Sequence, residues 1–136
     1  MIVVDTNLIG YLYLESKHSQ QVEQVLRRDA DWAAPLLWRS EFRNVLAGYL
    51  RKRWLSLEES RQLMDEALRM MEDREYEVDS YQVLRLVANS TCSAYDCEFV
   101  ALAQELGTTL VTLDKEILNS FPTVAVSVDT FLSTQA

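Results

Sequence analysis

The sequence has little of what many cofactor-binding and secreted proteins rely on. Among 136 residues there are two cysteines, one histidine, two prolines and three glycines. Cys92 and Cys97 are not a CxxC pair and His18 lies far from both, which argues against a zinc site and against a disulfide framework. Cys97 has apolar neighbours in a helical segment and reads as a buried free thiol. So few Gly and Pro leave no room for long linkers or low-complexity stretches. There is no internal repeat, and no like-charge block long enough for a disordered tail. No window holds the roughly 18 uncharged apolar residues of a membrane span. The opening MIVVDTN meets a carboxylate at position 5, without a basic start or a long apolar run, so it does not read as a signal peptide. The expectation is a soluble cytoplasmic protein with no membrane contact.

Positive charge is scarce as well. Thirteen Lys and Arg stand against 21 Asp and Glu, a net charge of −8. A protein that grips nucleic acid through a general basic surface is usually basic. Either nucleic acid is not the partner, or part of the acidic excess is gathered in a metal site that meets phosphates through cations. An acidic surface would also suit a basic protein partner.

What is present is ordinary globular material, 49% hydrophobic and 25% charged. The length suits one domain, residues 1–136, with one core. Residues 2–4, Ile-Val-Val, form a β-branched run that ends at Asp5. Residues 108–113 and 124–128 read as buried strands in the same way, with a weaker strand near Trp32-Ala33-Ala34. Helical spacing covers 18–28, 36–53, 57–73, 80–89 and 94–106. Phe42, Val45, Leu46, Tyr49 and Leu50 give the second of these a core-facing stripe. Ser56 and Glu59 form a capping box ahead of the third, and Gly107 stops the fifth. Leu8, Ile9, Tyr11 and Leu12 read as packing in a first helix. Alternating strands and helices predict an α/β fold, a parallel sheet with helices on both faces.

Ligands of such sheets collect at the carboxyl ends of the strands. Asp5 and Asp114 each end a strand, so a parallel sheet would place both on one edge. Glu41 lies four residues before Val45, and Asp96 three and four before Phe99 and Val100. Both therefore share a core-facing side of their helices. Carboxylates there are costly without a partner, and a hard divalent cation would be a sufficient one. Each acid also has a plainer reading. Asp5 could start a turn with Asn7. Asp114 could cap a helix beginning at Lys115. Asp96 could join a capping box with Ser93. Glu41 could be solvated or pair with Arg39 or Arg43. Capping and metal binding are compatible, and the weight lies in the combination and order of the four.

Those residues fall into four segments: VVDTN, SEFRNVL with Glu41, SAYDCEFVALAQELG with Asp96, and TTLVTLDKEIL with Asp114. Together they resemble the four motifs of the PIN-domain family, and within it the VapC-type toxins of bacterial toxin–antitoxin pairs. The resemblance runs from Ile2 to about Val128, in the family's order, with all four acidic positions kept. It implies a three-layer α/β/α fold with a central parallel sheet of about four to five strands. It implies an endoribonuclease active on single-stranded or structured RNA with Mg²⁺ or Mn²⁺ in the carboxylate pocket, a homodimer, and a small antitoxin that inserts a segment into the site.

On that reading Asp5, Asp96 and Asp114 hold the metal, Glu41 binds it directly or through water, and Thr6, Asn7 and Thr112 support them. No His lies near the motifs, so an imidazole base is not expected. Clustered acids should repel one another, and without a cation some should hold protons. Arg51, Lys52 and Arg53 end a helix, where cations suit the macrodipole. They could instead contact the RNA backbone, as could Arg39 and Arg43 beside Glu41. Tyr11, Tyr13, Trp38, Tyr49 and Trp54 could stack on bases, but core or dimer packing is the better reading.

Other classes fit less well. A phospho-receiver module would need its Asp on a central strand near mid-chain, where this sequence is helical. An aspartate-nucleophile phosphatase would prefer a second Asp where Asn7 stands. A PIN-like module that only binds RNA or protein would not need all four carboxylates, whereas an RNA-processing PIN nuclease without an antitoxin would share them, and the short single-domain chain favours the toxin.

Overall fold

A computed structural model of the chain describes residues 1–134. The first strand, β1 (Ile2–Val4), is wholly buried and runs into Asp5. Asp5 takes extended backbone angles and caps α1 (Thr6–Tyr13). After α2 (Ser19–Arg28), β2 (Trp32–Pro35) pairs parallel to β1, with Ile2 opposite Trp32. The long helix α3 (Leu37–Arg51) follows, then α4 (Leu57–Met70) behind the Ser56–Glu59 capping box. A two-residue strand β3 (Glu75–Tyr76) joins the outer edge of β2.

The second half returns to the other side of β1. Helices α5 (Ser80–Ala88) and α6 (Ala94–Leu106) lead to β4 (Leu110–Thr112), which pairs parallel to β1. Helix α7 (Lys115–Ser120), strand β5 (Ala125–Ser127) and α8 (Val128–Ser133) complete the chain. The sheet has five parallel strands in the order β3-β2-β1-β4-β5. This is the expected parallel α/β architecture. The order reverses between β1 and β4, the switch point at which open parallel sheets place their ligands. Trp32, Trp38, Phe42, Phe99, Leu8 and Ile9 fill the core and are fully buried. No helix among the described residues is long and apolar enough to cross a membrane.

Several boundaries differ from the sequence expectation for local reasons. Helix α3 stops at Arg51 because Arg53 adopts the left-handed φ of 61°. The Arg53 N–H then bonds the Leu50 carbonyl and the Trp54 N–H bonds the Tyr49 carbonyl, both at 3.0 Å. That is the 5→2 and 6→1 pair of a Schellman closure. Helix α4 ends three residues before Asp73, which is also left-handed at φ 64°. The strand expected over 124–128 is cut short because Ser127 caps α8, accepting the Thr130 N–H at 3.0 Å.

Candidate active site

The four acids do converge. A cavity of about 390 Å³ opens at the switch point, and Asp5, Glu41, Asp96 and Asp114 all line it. They arrive on four different elements: the end of β1, the face of α3, the first turn of α6 and the end of β4. Three of the four sit at helix starts: Asp114 caps α7 as expected, Asp5 caps α1 rather than starting a turn with Asn7, and Asp96 gives its N–H to the Ser93 cap without completing a capping box.

Asp5 is the innermost, with 8% of its surface exposed. One carboxylate oxygen accepts the Leu8 N–H at 3.2 Å as an N-cap. The other accepts the hydroxyl of Thr112, which is fully buried in β4. Burial pushes the Asp5 carboxyl up from 3.8 to about 6. The Thr112 and Leu8 hydrogen bonds oppose that rise, and the charges of Asp114 and Glu41 add to it.

Glu41 is half-buried and accepts the Thr6 hydroxyl at 2.6 Å, which ties α3 to the start of α1. Its carboxyl is also raised, by burial first and by Asp96 in lesser measure, against the Thr6 bond. Asp96 is raised by burial and then by Asp114, with Ser93 opposing. Asp114 caps α7, one oxygen accepting the Glu116 and Ile117 N–H groups at 2.8 and 3.1 Å. Mutual repulsion is therefore real, but loss of water is the larger cause of the raised acids.

Among the described residues no Lys, Arg or His lines the cavity. Four carboxylates, the deepest of them desolvated, face one another with only hydroxyl and backbone donors in support. A hard divalent cation with an oxygen-rich shell fits this donor set. Asp96 also lies beside Cys92 and Glu116, with one potential ligand atom of each within 4.8 Å of the others. Burial raises the Cys92 thiol, which therefore stays protonated and suits a hard cation poorly.

The supporting residues are placed unevenly. Thr6 and Thr112 hold Glu41 and Asp5 as described, and Asn7 lines the cavity with its side chain exposed. Arg39 turns away. Its guanidinium forms two bonds of 2.5 Å to Glu75 on β3, where Trp38 Nε1 also donates at 2.7 Å. Arg43 is exposed outside the lining, and Arg51, Lys52 and Arg53 lie at the far end of α3. Arg51 is ten residues beyond Glu41, roughly 15 Å along the helix axis. Among the aromatic candidates Trp38 is fully buried, while Trp54 is exposed and meets Tyr49 edge-on with centroids 5.4 Å apart.

Three polar lining residues were not sequence candidates: Ser40, Asn44 and Tyr95. The signal for the first two was present, since 37, 40, 41, 44 and 45 share one face of α3. Tyr95 adjoins Asp96 directly. Glu98 was missed as well. It is half-buried on α6, outside the lining, and its carboxyl is raised by burial and by Glu41.

Comparison with known proteins places the chain in a family and a fold. The chain is 29% identical over 126 residues to "Ribonuclease VapC3" of Pyrobaculum aerophilum, covering 89% of this chain and 95% of that protein. It shares its fold with PAE2754 of Pyrobaculum aerophilum, at a TM-score of 0.70 and 22% identity over 96% of this chain and 92% of that one. It also shares it with FitAcB of Neisseria gonorrhoeae, at 0.75 and 17% identity over 94% and 98%. A third structure, FitAB bound to a DNA fragment, matches at 0.73 and 17% identity over 100% and 99%. Residues 2–122 match the PIN domain, and the chain belongs to the PIN-domain family.

Proposed function

We propose that this chain is a divalent-metal-dependent endoribonuclease, the toxin of a VapC-type toxin–antitoxin pair. The carrying observation is the convergence of Asp5, Glu41, Asp96 and Asp114 in a cavity without a cationic side chain. The likeness to a protein named Ribonuclease VapC3 along most of both chains supports the substrate class.

Asp5, Asp96 and Asp114 would hold Mg²⁺ or Mn²⁺, and Glu41 would bind it directly or through water. The ion, when bound, supplies an acidified water and neutralises charge that builds on the phosphate. The protein's own groups set up the rest. Thr112 fixes the orientation of the Asp5 carboxylate, and the Leu8 N–H holds its other oxygen. Thr6 does the same for Glu41. Without a cation Asp5 is half-protonated near pH 6, so loading the site below that pH releases its proton.

The acidic surface, at a net charge of −8, suits a basic segment of a small antitoxin entering this cavity. A homodimer is part of the same reading.

Cleavage of a mixed RNA pool by purified protein tests it, with Mg²⁺, with Mn²⁺ and with chelator, beside Asp5→Asn. Cleavage that needs metal and is lost in the variant supports the proposal. Folded, antitoxin-free protein that cleaves nothing in either metal would leave a PIN domain that only binds.

A further inference from the structure

The ribonuclease reading leaves the RNA without an obvious grip. The chain carries eight more negative than positive charges, and no cationic side chain lines the cavity. Phosphate pairing, the usual source of affinity for nucleic acid, is therefore weak at this site. The cation would meet the scissile phosphate, and a further contact is needed to hold the neighbouring nucleotides.

Tyr95 has the chemistry for it. It lies in the first turn of α6, next to Asp96, and lines the cavity with the four carboxylates. It is 62% exposed. Among the described residues its ring stacks on no other ring and lies under no cation. The other exposed rings near helix ends are engaged, Trp54 by Tyr49 against it and Lys52 over it at 4.5 Å, and Tyr81 by Arg85 over it at 5.3 Å. Tyr95 thus presents an uncommitted π-face at the rim of the acidic cavity. Asn44, exposed on the α3 face that carries Glu41, lines the same cavity and offers an amide that can meet a base edge.

We infer that Tyr95 is the platform on which an unpaired base next to the scissile phosphate stacks. The inference rests on the ribonuclease reading. Stacking needs an unpaired base and no protein cation, which suits an acidic protein. Tyr95 positions the strand, and the carboxylates act on the phosphate.

The test uses short single-stranded RNA carrying one 2-aminopurine, moved along the strand, with the full chain and Mg²⁺. Asp5→Asn protein keeps the RNA intact during the binding measurement. In that background Tyr95→Ala should weaken binding by about 5- to 100-fold, as loss of one stacked base does. Tyr95→Phe and Tyr95→Trp should stay close to the parent, because the ring and not the hydroxyl does the stacking. One 2-aminopurine position should be quenched in the parent and lose its quenching with Tyr95→Ala. In the active protein the loss should lie in KM. Equal binding and equal quenching with Tyr95→Ala overturn the inference, and so does a changed oligomeric mass with unchanged RNA binding, which would assign the ring to a protein contact. Absence of cleavage by the wild type strikes the ribonuclease reading instead, while the binding comparison still decides the role of Tyr95.

Discussion

The Thr112 hydroxyl joins the first and last acids of the cavity: it donates to the Asp5 carboxylate and accepts the Asp114 backbone N–H at 3.0 Å. One buried side chain on β4 thus sets the position of two carboxylates that are 109 residues apart in sequence. Thr112→Val keeps the shape and removes both bonds. The Asp114 N–H loses its partner and Asp5 loses the hydrogen bond that most restrains its pKa. The expected cost is about 1–3 kcal/mol of stability by denaturant unfolding. Cleavage should fall more at pH 6 than at pH 8, and Thr112→Ser should recover most of both losses.

The Asp5 carboxyl gives a pH signature that needs no substrate. Its folded-state value of about 6 lies above the ordinary 3.8. Between those values the folded chain holds a proton that the unfolded chain has released. Stability therefore falls as pH rises through that window, and the penalty is complete above it. The displacement corresponds to about 3 kcal/mol. With chelator present, Asp5→Asn should gain up to that amount over the wild type between pH 4 and pH 7.5. Unfolding curves at both pH values check it, and a difference independent of pH would contradict the burial of Asp5.

Arg39 is expected to be structural. It is bidentate to Glu75, and that bond holds the short edge strand β3 against α3. Arg39→Ala should destabilise the chain by about 1–3 kcal/mol, because Glu75 is left largely buried without its cation. The salt dependence of RNA binding should not change. A slope reduced by about one unit would instead show that Arg39 meets a phosphate.

Arg53 holds a left-handed conformation that ordinary side chains resist. Arg53→Gly should raise stability by up to about 1 kcal/mol, since glycine adopts that φ without steric cost. Denaturant midpoints should shift upward with an unchanged m-value. A loss of stability would mean that the arginine side chain contributes more than its strain removes.

The sequence carried the site further than it carried some of the fold. Asp5 and Asp114 were legible because a β-branched run that ends in an acid marks a strand end, and parallel strands put such ends together. Glu41 and Asp96 were legible from their helical spacing to Val45 and to Phe99 and Val100. Strand β3 was not, because two residues display no period. Helix α8 was hidden by the apolar run Val124–Val128, which reads as one strand until Ser127 is seen to cap it. The turn of Arg39 toward Glu75 spans 36 residues and leaves no local trace. Tyr95 stood in plain sight inside the third motif. Its exposure depends on how α6 packs, which spacing alone does not give.

The central claim is that the four carboxylates form one cation site that carries out RNA cleavage. The most direct test measures Mn²⁺ affinity and RNA cleavage side by side for the wild type, Asp5→Asn, Glu41→Gln, Asp96→Asn and Asp114→Asn at pH 7.5. Affinity and cleavage should fall together in the aspartate variants, while unfolding curves in chelator show the chains still folded. Cleavage that persists in chelator, or that survives in Asp5→Asn and Asp96→Asn, would contradict it.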